Sequence, residues 1–218
     1  MLKNILVIFS DFKNTITTLQ TKELGGQDVQ FKLAPAMRLK YDAAKIAASH
    51  PRKAAVLALF YPNKQQETCF LLTQRAIYKG THSAQISFPG GKKDSIDTNL
   101  QATALRETFE EVGVPEKTIK IIRELTDVFI PPSNFLATPF LGFTDKKPSF
   151  NLNYEVENTI EVLLSDLLNE NSISSVMMDT SYMDSIAVPC FKFNNYVVWG
   201  ATAMMLSEIK ALFKASLS

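Results

Sequence analysis

Apolar residues along this chain fall in short blocks separated by turn formers. Residues 54–61 form an unbroken apolar run, Pro62-Asn63 is a turn signal, and residues 68–73 form a second run, so the pattern predicts a strand pair. Residues 85–88 predict a short strand that stops at Pro89-Gly90-Gly91, followed by a loop to about residue 98. Strand-like segments recur at 119–130, 136–143, 159–164, 187–193 and 196–199, the last two separated by Asn194-Asn195, a hairpin signal. Residues 42–49 predict a helix ended by His50-Pro51. In residues 201–214, Ala203, Met204, Leu206, Ile209, Leu212 and Phe213 recur at helical spacing and predict a helix packed through that stripe. Strands and helices interleave without a regular βαβ rhythm. The expectation is an α/β (α+β) fold, with a mixed β-sheet flanked by helices.

Composition narrows the function classes more than it names one. The chain has 218 residues, 46% hydrophobic and 21% charged, ordinary for a globular domain. A net charge of +1 provides no strong field for nucleic acid or for a membrane surface, and no basic cluster is interleaved with aromatics. No apolar run approaches the length of a membrane span. The apolar stretch at residues 5–9 is too short for a signal-peptide core, so the cytoplasm is the expected location. Cys69 and Cys190 are isolated and read as buried thiols rather than a zinc site or a disulfide framework.

Residues 102–113 change the picture. At about 100° per residue, Ala102, Leu105, Phe109 and Val112 fall on one side of a helix and Glu107, Glu110 and Glu111 on the other. Gly113 and Pro115 stop the helix. Three carboxylates repel one another, and they sit where the helix dipole is negative. Arg106 relieves part of the repulsion. A solvated acidic face is one reading. The other is a hard-cation site, because Mg²⁺ or Mn²⁺ takes oxygen ligands and removes the repulsion. Gly90-Gly91, just upstream, favours the second reading, since glycine lets the main chain approach a ligand closely.

These residues resemble the Nudix hydrolases. That family carries a Gly, five residues, a Glu, seven residues, then Arg-Glu-hydrophobic-x-Glu-Glu-x-Gly-hydrophobic. Here Gly91 is followed by five residues and Asp97, then eight residues and Arg106-Glu107-Thr108-Phe109-Glu110-Glu111-Val112-Gly113-Val114. Asp97 replaces Glu, and one extra residue precedes Arg106. Both departures resemble the variant motif of the coenzyme A pyrophosphatase branch. Leu71-Leu72-Thr73-Gln74-Arg75 and His82-Ser83-Ala84-Gln85-Ile86-Ser87-Phe88-Pro89-Gly90-Gly91 are similar to that branch's upstream signature, with Ala84 where Gly is usual. The resemblance spans roughly residues 54–206.

The resemblance implies a Nudix-type α/β/α sandwich, with residues 51–218 as the hydrolase domain; residues 1–50, outside the resemblance, are expected as a helical extension packed on it. It implies a Mg²⁺- or Mn²⁺-dependent pyrophosphohydrolase that splits coenzyme A or acyl-coenzyme A into 3′,5′-ADP and 4′-phosphopantetheine. Alternatives are a Nudix hydrolase of ADP-ribose or a dinucleotide, or a non-catalytic nucleotide-binding regulator. Glu107 and Glu111 are expected as the principal metal ligands, with Glu110 a further ligand or catalytic group and Gly91 lending its carbonyl. Arg106 is expected to orient the glutamates. Glu155 is expected as a late ligand or general base, and Arg75, His82, Gln85 and Lys92 as substrate-binding residues. The expected partner is the small-molecule substrate, without nucleic acid or membrane; a homodimer stays open.

Overall fold

The computed structural model describes residues 8–76, 85–180 and 183–217. Three helices come first: α1 (Phe9–Thr21), α2 (Gly26–Gln30) and α3 (Ala43–Ala48). The strands β1 (Arg52–Pro62), β2 (Thr68–Arg75), β3 (Ile86–Ser87) and β4 (Gly90–Lys92) precede the long helix α4 (Leu100–Val112). Then come β5 (Lys120–Glu124), β6 (Val128–Ile130), β7 (Phe135–Phe143), β8 (Val156–Leu163) and α5 (Leu164–Leu168). The chain ends with β9 (Ile173–Thr180), β10 (Met183–Phe193), β11 (Tyr196–Trp199) and α6 (Gly200–Leu217).

β1 is continuously apolar because the sheet is covered on both faces. Ala54, Ala58 and Phe60 face one core, with Phe70, Leu72, α1 and α6. Ala55, Leu57, Leu59 and Tyr61 face the other, with Cys69, Leu71 and α4 residues Ala104 and Val112. The large sheet runs β3-β2-β1-β7-β5, with β4 on β1, β6 on β7 and β8 on β2. It is mixed: β1 and β7 are parallel from Arg52↔Phe135 to Phe60↔Phe143, and the other pairs in this sheet are antiparallel. β9, β10 and β11 form a second, antiparallel sheet.

The site is positioned by a change of partner along one edge of β1. Near its end β1 pairs with β2 (Phe60↔Phe70), but near its start it pairs with β4 (Ala55↔Gly91, Val56↔Gly90). The two strands diverge, and the Gly-Gly segment enters the sheet there. The expected strands at 54–61, 68–73, 136–143, 159–164, 187–193 and 196–199 are all present, with ends shifted by a few residues. The segment at 119–130 is two strands, both paired to β7. Gly90–Lys92, expected as loop, is a strand because β1 supplies its ladder partners.

α1, β9 and α5 are among the elements that escape the sequence pattern. α1 is rich in Thr, and buries only Phe9, Phe12 and Leu19. Phe12 stacks on Phe60 at 5.4 Å and lies 6.0 Å from Phe213, so the first helix belongs to the same core as α6. β9 reads Ile-Ser-Ser-Val-Met-Met-Asp-Thr, too polar for a buried-strand pattern, and exists by pairing with β10. α5 spans five residues, too few for a helical period to show. The stripe of α6 is buried as expected from its spacing.

Candidate active site

α4 starts where Asn99 caps it, its side chain accepting from the Ala102 N–H, and stops at Gly113 in the left-handed conformation. Its buried face is not the one its apolar residues predict. Phe109 is 50% exposed, whereas Thr103, Ala104, Thr108, Glu111 and Val112 are buried. The polar groups on that face are satisfied locally. The Thr108 hydroxyl donates to the Ala104 carbonyl at 2.7 Å, and the Thr103 hydroxyl to the Asp97 carboxylate at 2.9 Å. The Gly90 N–H donates to Glu111 Oε2 at 3.1 Å. Glu111 is only 4% exposed, so the helix turns one of its acids into the protein against the Gly-Gly strand.

The two glycines serve different ends. Gly90 has φ +150°, and a Cβ there would overlap the Ala55 carbonyl and stand 2.6 Å from the Val56 Cα. At Gly91 a Cβ would meet all three atoms of the Glu107 carboxyl group at 2.5–2.7 Å. Only a bare α-carbon lets Glu107 lie against this strand.

Two arginines hold the acids apart. Arg106 Nε and Nη2 both donate to Asp97 at 2.9 Å, a two-pronged pair. The same guanidinium reaches Glu107 at 3.0 Å, Glu110 at 3.0 Å and the Lys92 carbonyl at 3.2 Å. Arg75, at the end of β2, donates from Nη2 to Glu155 Oε2 at 2.8 Å and stands 3.5 Å from Glu111 through Nη1. Hydrogen bonds from Arg106 hold the Asp97 carboxyl well below the usual range. Burial pushes Glu107 up, with Glu110 and Glu155 adding to it and Arg106 opposing. Burial pushes Glu111 up to about 7; the Gly90 N–H and Arg75 oppose this, and Glu107 and Glu155 add to it.

A cleft of about 570 Å³ opens beside this array. Gly90, Gly91, Lys92, Arg75 and Gln85 border it, and Ile86, Phe88, Phe129, Pro131 and Trp199 are among its apolar walls. This is the size and character of a small-molecule site.

Residues 51–174 match the family model described as the NUDIX domain. The chain belongs to the Nudix hydrolase family. It is 33% identical over 159 residues to the uncharacterized Nudix hydrolase NudL of Enterobacter sp. (strain 638), covering 72% of this chain and 81% of that one. It is 30% identical over 159 residues to NudL of Yersinia pestis (strain Pestoides F), covering 72% and 78%. A MutT/nudix family protein from Enterococcus faecalis shares the fold, with a TM-score of 0.52 at 13% identity over 80% of this chain and 71% of that chain. This Nudix hydrolase therefore has the mixed sheet between helices that its sequence pattern predicts.

The structure brings Arg75, Gly91, Arg106, Glu107, Glu110, Glu111 and Glu155 into one connected array. Gln85 and Lys92 border the cleft. His82 lies outside the described residues. Arg75 is engaged with carboxylates rather than standing alone for a substrate phosphate. Sequence reasoning registered Asp97 only as a departure from the family spacing. Its burial and its two bonds to Arg106 make it the anchor of that arginine; an acid in a loop, nine residues before an Arg, is the signal that was there to find.

Nudix hydrolases generally use divalent metal ions. Among the described residues, no three acidic, His or Cys side chains stand together at metal-holding distance. Glu107, Glu110, Glu111 and Glu155 are instead held by Arg106, Arg75 and the Gly90 N–H. The donor set nevertheless fits a hard cation. It is all oxygen, and burial raises the pKa of both Glu107 and Glu111, with Glu110 and Glu155 adding to the first and Glu107 and Glu155 to the second. Gly91 leaves the space that a Cβ would fill at Glu107.

Proposed function

We propose that this Nudix hydrolase cleaves the phosphoanhydride of coenzyme A or acyl-coenzyme A, giving 3′,5′-ADP and (acyl-)4′-phosphopantetheine, with Mg²⁺ or Mn²⁺. The observation that carries the reading is the direct opening of an apolar-walled cleft onto Gly90–Lys92, the strand beside Glu107 and Glu111. A pyrophosphate with a long, uncharged arm fits such a boundary, with phosphates at the acids and the arm along Ile86, Phe88 and Trp199. The similarity of residues 71–75 and 82–91 to the coenzyme A pyrophosphatase signature supports the same substrate.

Glu107, Glu111 and the Gly91 main chain would hold the cation, with Glu110 as a further ligand or acid-base group. Bound there, a divalent cation supplies neutralisation of phosphate charge and acidifies water. Arg106, itself held by Asp97, keeps Glu107 and Glu110 in place. Glu155 offers Oε1 to take the proton of the attacking water while Oε2 stays with Arg75. Lys92 and Gln85 border the cleft and would meet the phosphates.

The test is incubation with Mg²⁺ or Mn²⁺ and, separately, coenzyme A, ADP-ribose and NADH, with products identified by mass. Formation of 3′,5′-ADP from coenzyme A is expected. Intact coenzyme A alongside cleaved ADP-ribose overturns the substrate assignment.

A further inference from the structure

Arg38 lies ahead of the matched family domain and is buried, at 3% exposure. Its guanidinium lies 5.0 Å from the Phe31 ring centroid and 5.8 Å from that of Phe129, and its Nη1 donates to the Tyr41 carbonyl at 2.9 Å. Among the described residues its Nε has no hydrogen-bond partner. None of the described carboxylates forms an ion pair with it, and burial pushes its pKa down. Asp127, which lines a second cavity together with Arg38, accepts a hydrogen bond from Thr138. A buried cation without a counter-charge is costly to maintain. Arg38 also borders the large cleft, together with Pro35 and Met37.

Sheet register places Arg38 away from the acids. Phe129, one of the rings against it, pairs with Leu136, Leu136 with Lys53, and neighbouring Ala54 with Lys92. Three strand spacings separate Phe129 from β4, roughly 14 Å across the sheet. An anion received at Arg38 is therefore a group other than the phosphates held at Gly91 and the glutamates.

We propose that Arg38 determines specificity by receiving a second anionic group of the substrate, a phosphomonoester separate from the pyrophosphate. The proposal rests on the pyrophosphohydrolase reading above and deepens it by naming the residue, ahead of the matched domain, that reads the phosphomonoester of the substrate. The guanidinium fork suits phosphate oxygens, and the aromatic walls hold it in place before the ligand arrives. The charge missing around Arg38 is then brought in by the ligand.

The experiment uses the full chain with Mg²⁺ and a matched pair, coenzyme A and 3′-dephospho-coenzyme A, which differ only in the phosphomonoester. Wild type is expected to favour coenzyme A by about 10- to 100-fold in kcat/KM, mostly through KM. Arg38→Gln is expected to bring that ratio close to one, and Arg38→Lys to restore part of it. A merely structural Arg38 lowers kcat and thermal stability without moving the ratio, and that result overturns the proposal. So does a wild-type ratio near one. If wild type cuts neither compound, the coenzyme A reading has failed by itself. NADPH and NADH then serve as the matched pair, and wild-type discrimination that survives Arg38→Gln, or that is absent from the start, overturns the role of Arg38.

Discussion

Arg75 donates a 2.8 Å hydrogen bond to Glu155 across 80 residues of chain. The same guanidinium stands 3.5 Å from the buried Glu111. It thus occupies the position of a positive charge between two acids, one of them pushed up in pKa by burial. Arg75→Ala is expected to lower stability by about 1 kcal/mol without added metal. Mg²⁺ or Mn²⁺ is expected to raise the melting temperature of the variant more than that of wild type, because the cation then no longer competes with Arg75 for Glu111. Thermal melts with and without 5–10 equivalents of metal, roughly, check this; equal shifts in both proteins contradict it.

Glu111→Gln is close in shape and keeps an acceptor for the Gly90 N–H. The variant is expected to fold as well as wild type, and to lose turnover by about 100-fold or more together with its metal-induced thermal shift. Glu107→Gln is expected to behave alike. Full turnover in either variant removes that glutamate from the metal site.

Gly90 and Gly91 are expected to fail differently. In Gly91→Ala the new methyl group meets the Glu107 carboxyl group at 2.5–2.7 Å, and a side chain can move aside. The result is a folded protein whose kcat/KM drops by about 100-fold through misplacement of one acid. In Gly90→Ala the methyl group meets main chain of β1 at a backbone φ of +150°, so the sheet itself is strained. A loss of about 3 kcal/mol is expected, read by chemical denaturation. Activity loss without instability in Gly90→Ala contradicts this division.

Asp97 is buried and bonded twice to Arg106, and its pKa is lowered in the folded protein. Its contribution to stability is therefore complete above the unfolded-state value of about 3.9 and is lost as pH falls through the lower folded-state value. Asp97→Asn is expected to cost on the order of 2–4 kcal/mol at neutral pH, with the difference from wild type shrinking in strong acid. Denaturation at pH of about 7 and about 2 measures both ends. A constant gap contradicts the ion pair as its source.

Much of the architecture is legible in local pattern. The unbroken run at β1 and the stripe of α6 state their burial directly, because each strand or helix repeats its contacts at a fixed period. The acids of α4, with Gly90-Gly91 ahead of them, favour a hard cation before any contact is known, and their spacing carries the resemblance to the Nudix hydrolases. α1 and β9 stay hidden because their helix or strand state is stabilised by partners distant in sequence.

Sequence alone determined the acidic helix, the Gly-Gly pair ahead of it and the family they belong to, since these are residues at short, fixed spacings. Tertiary structure decided which face of that helix is buried, turning Glu111 inward and Phe109 outward. It also decided that Arg75 meets Glu155, that Asp97 anchors Arg106, and that Arg38 borders the cleft. Those relationships depend on strand register and on which edge of β1 each neighbour occupies. No local period encodes them, because they join residues whose separation along the chain carries no information about their separation in space.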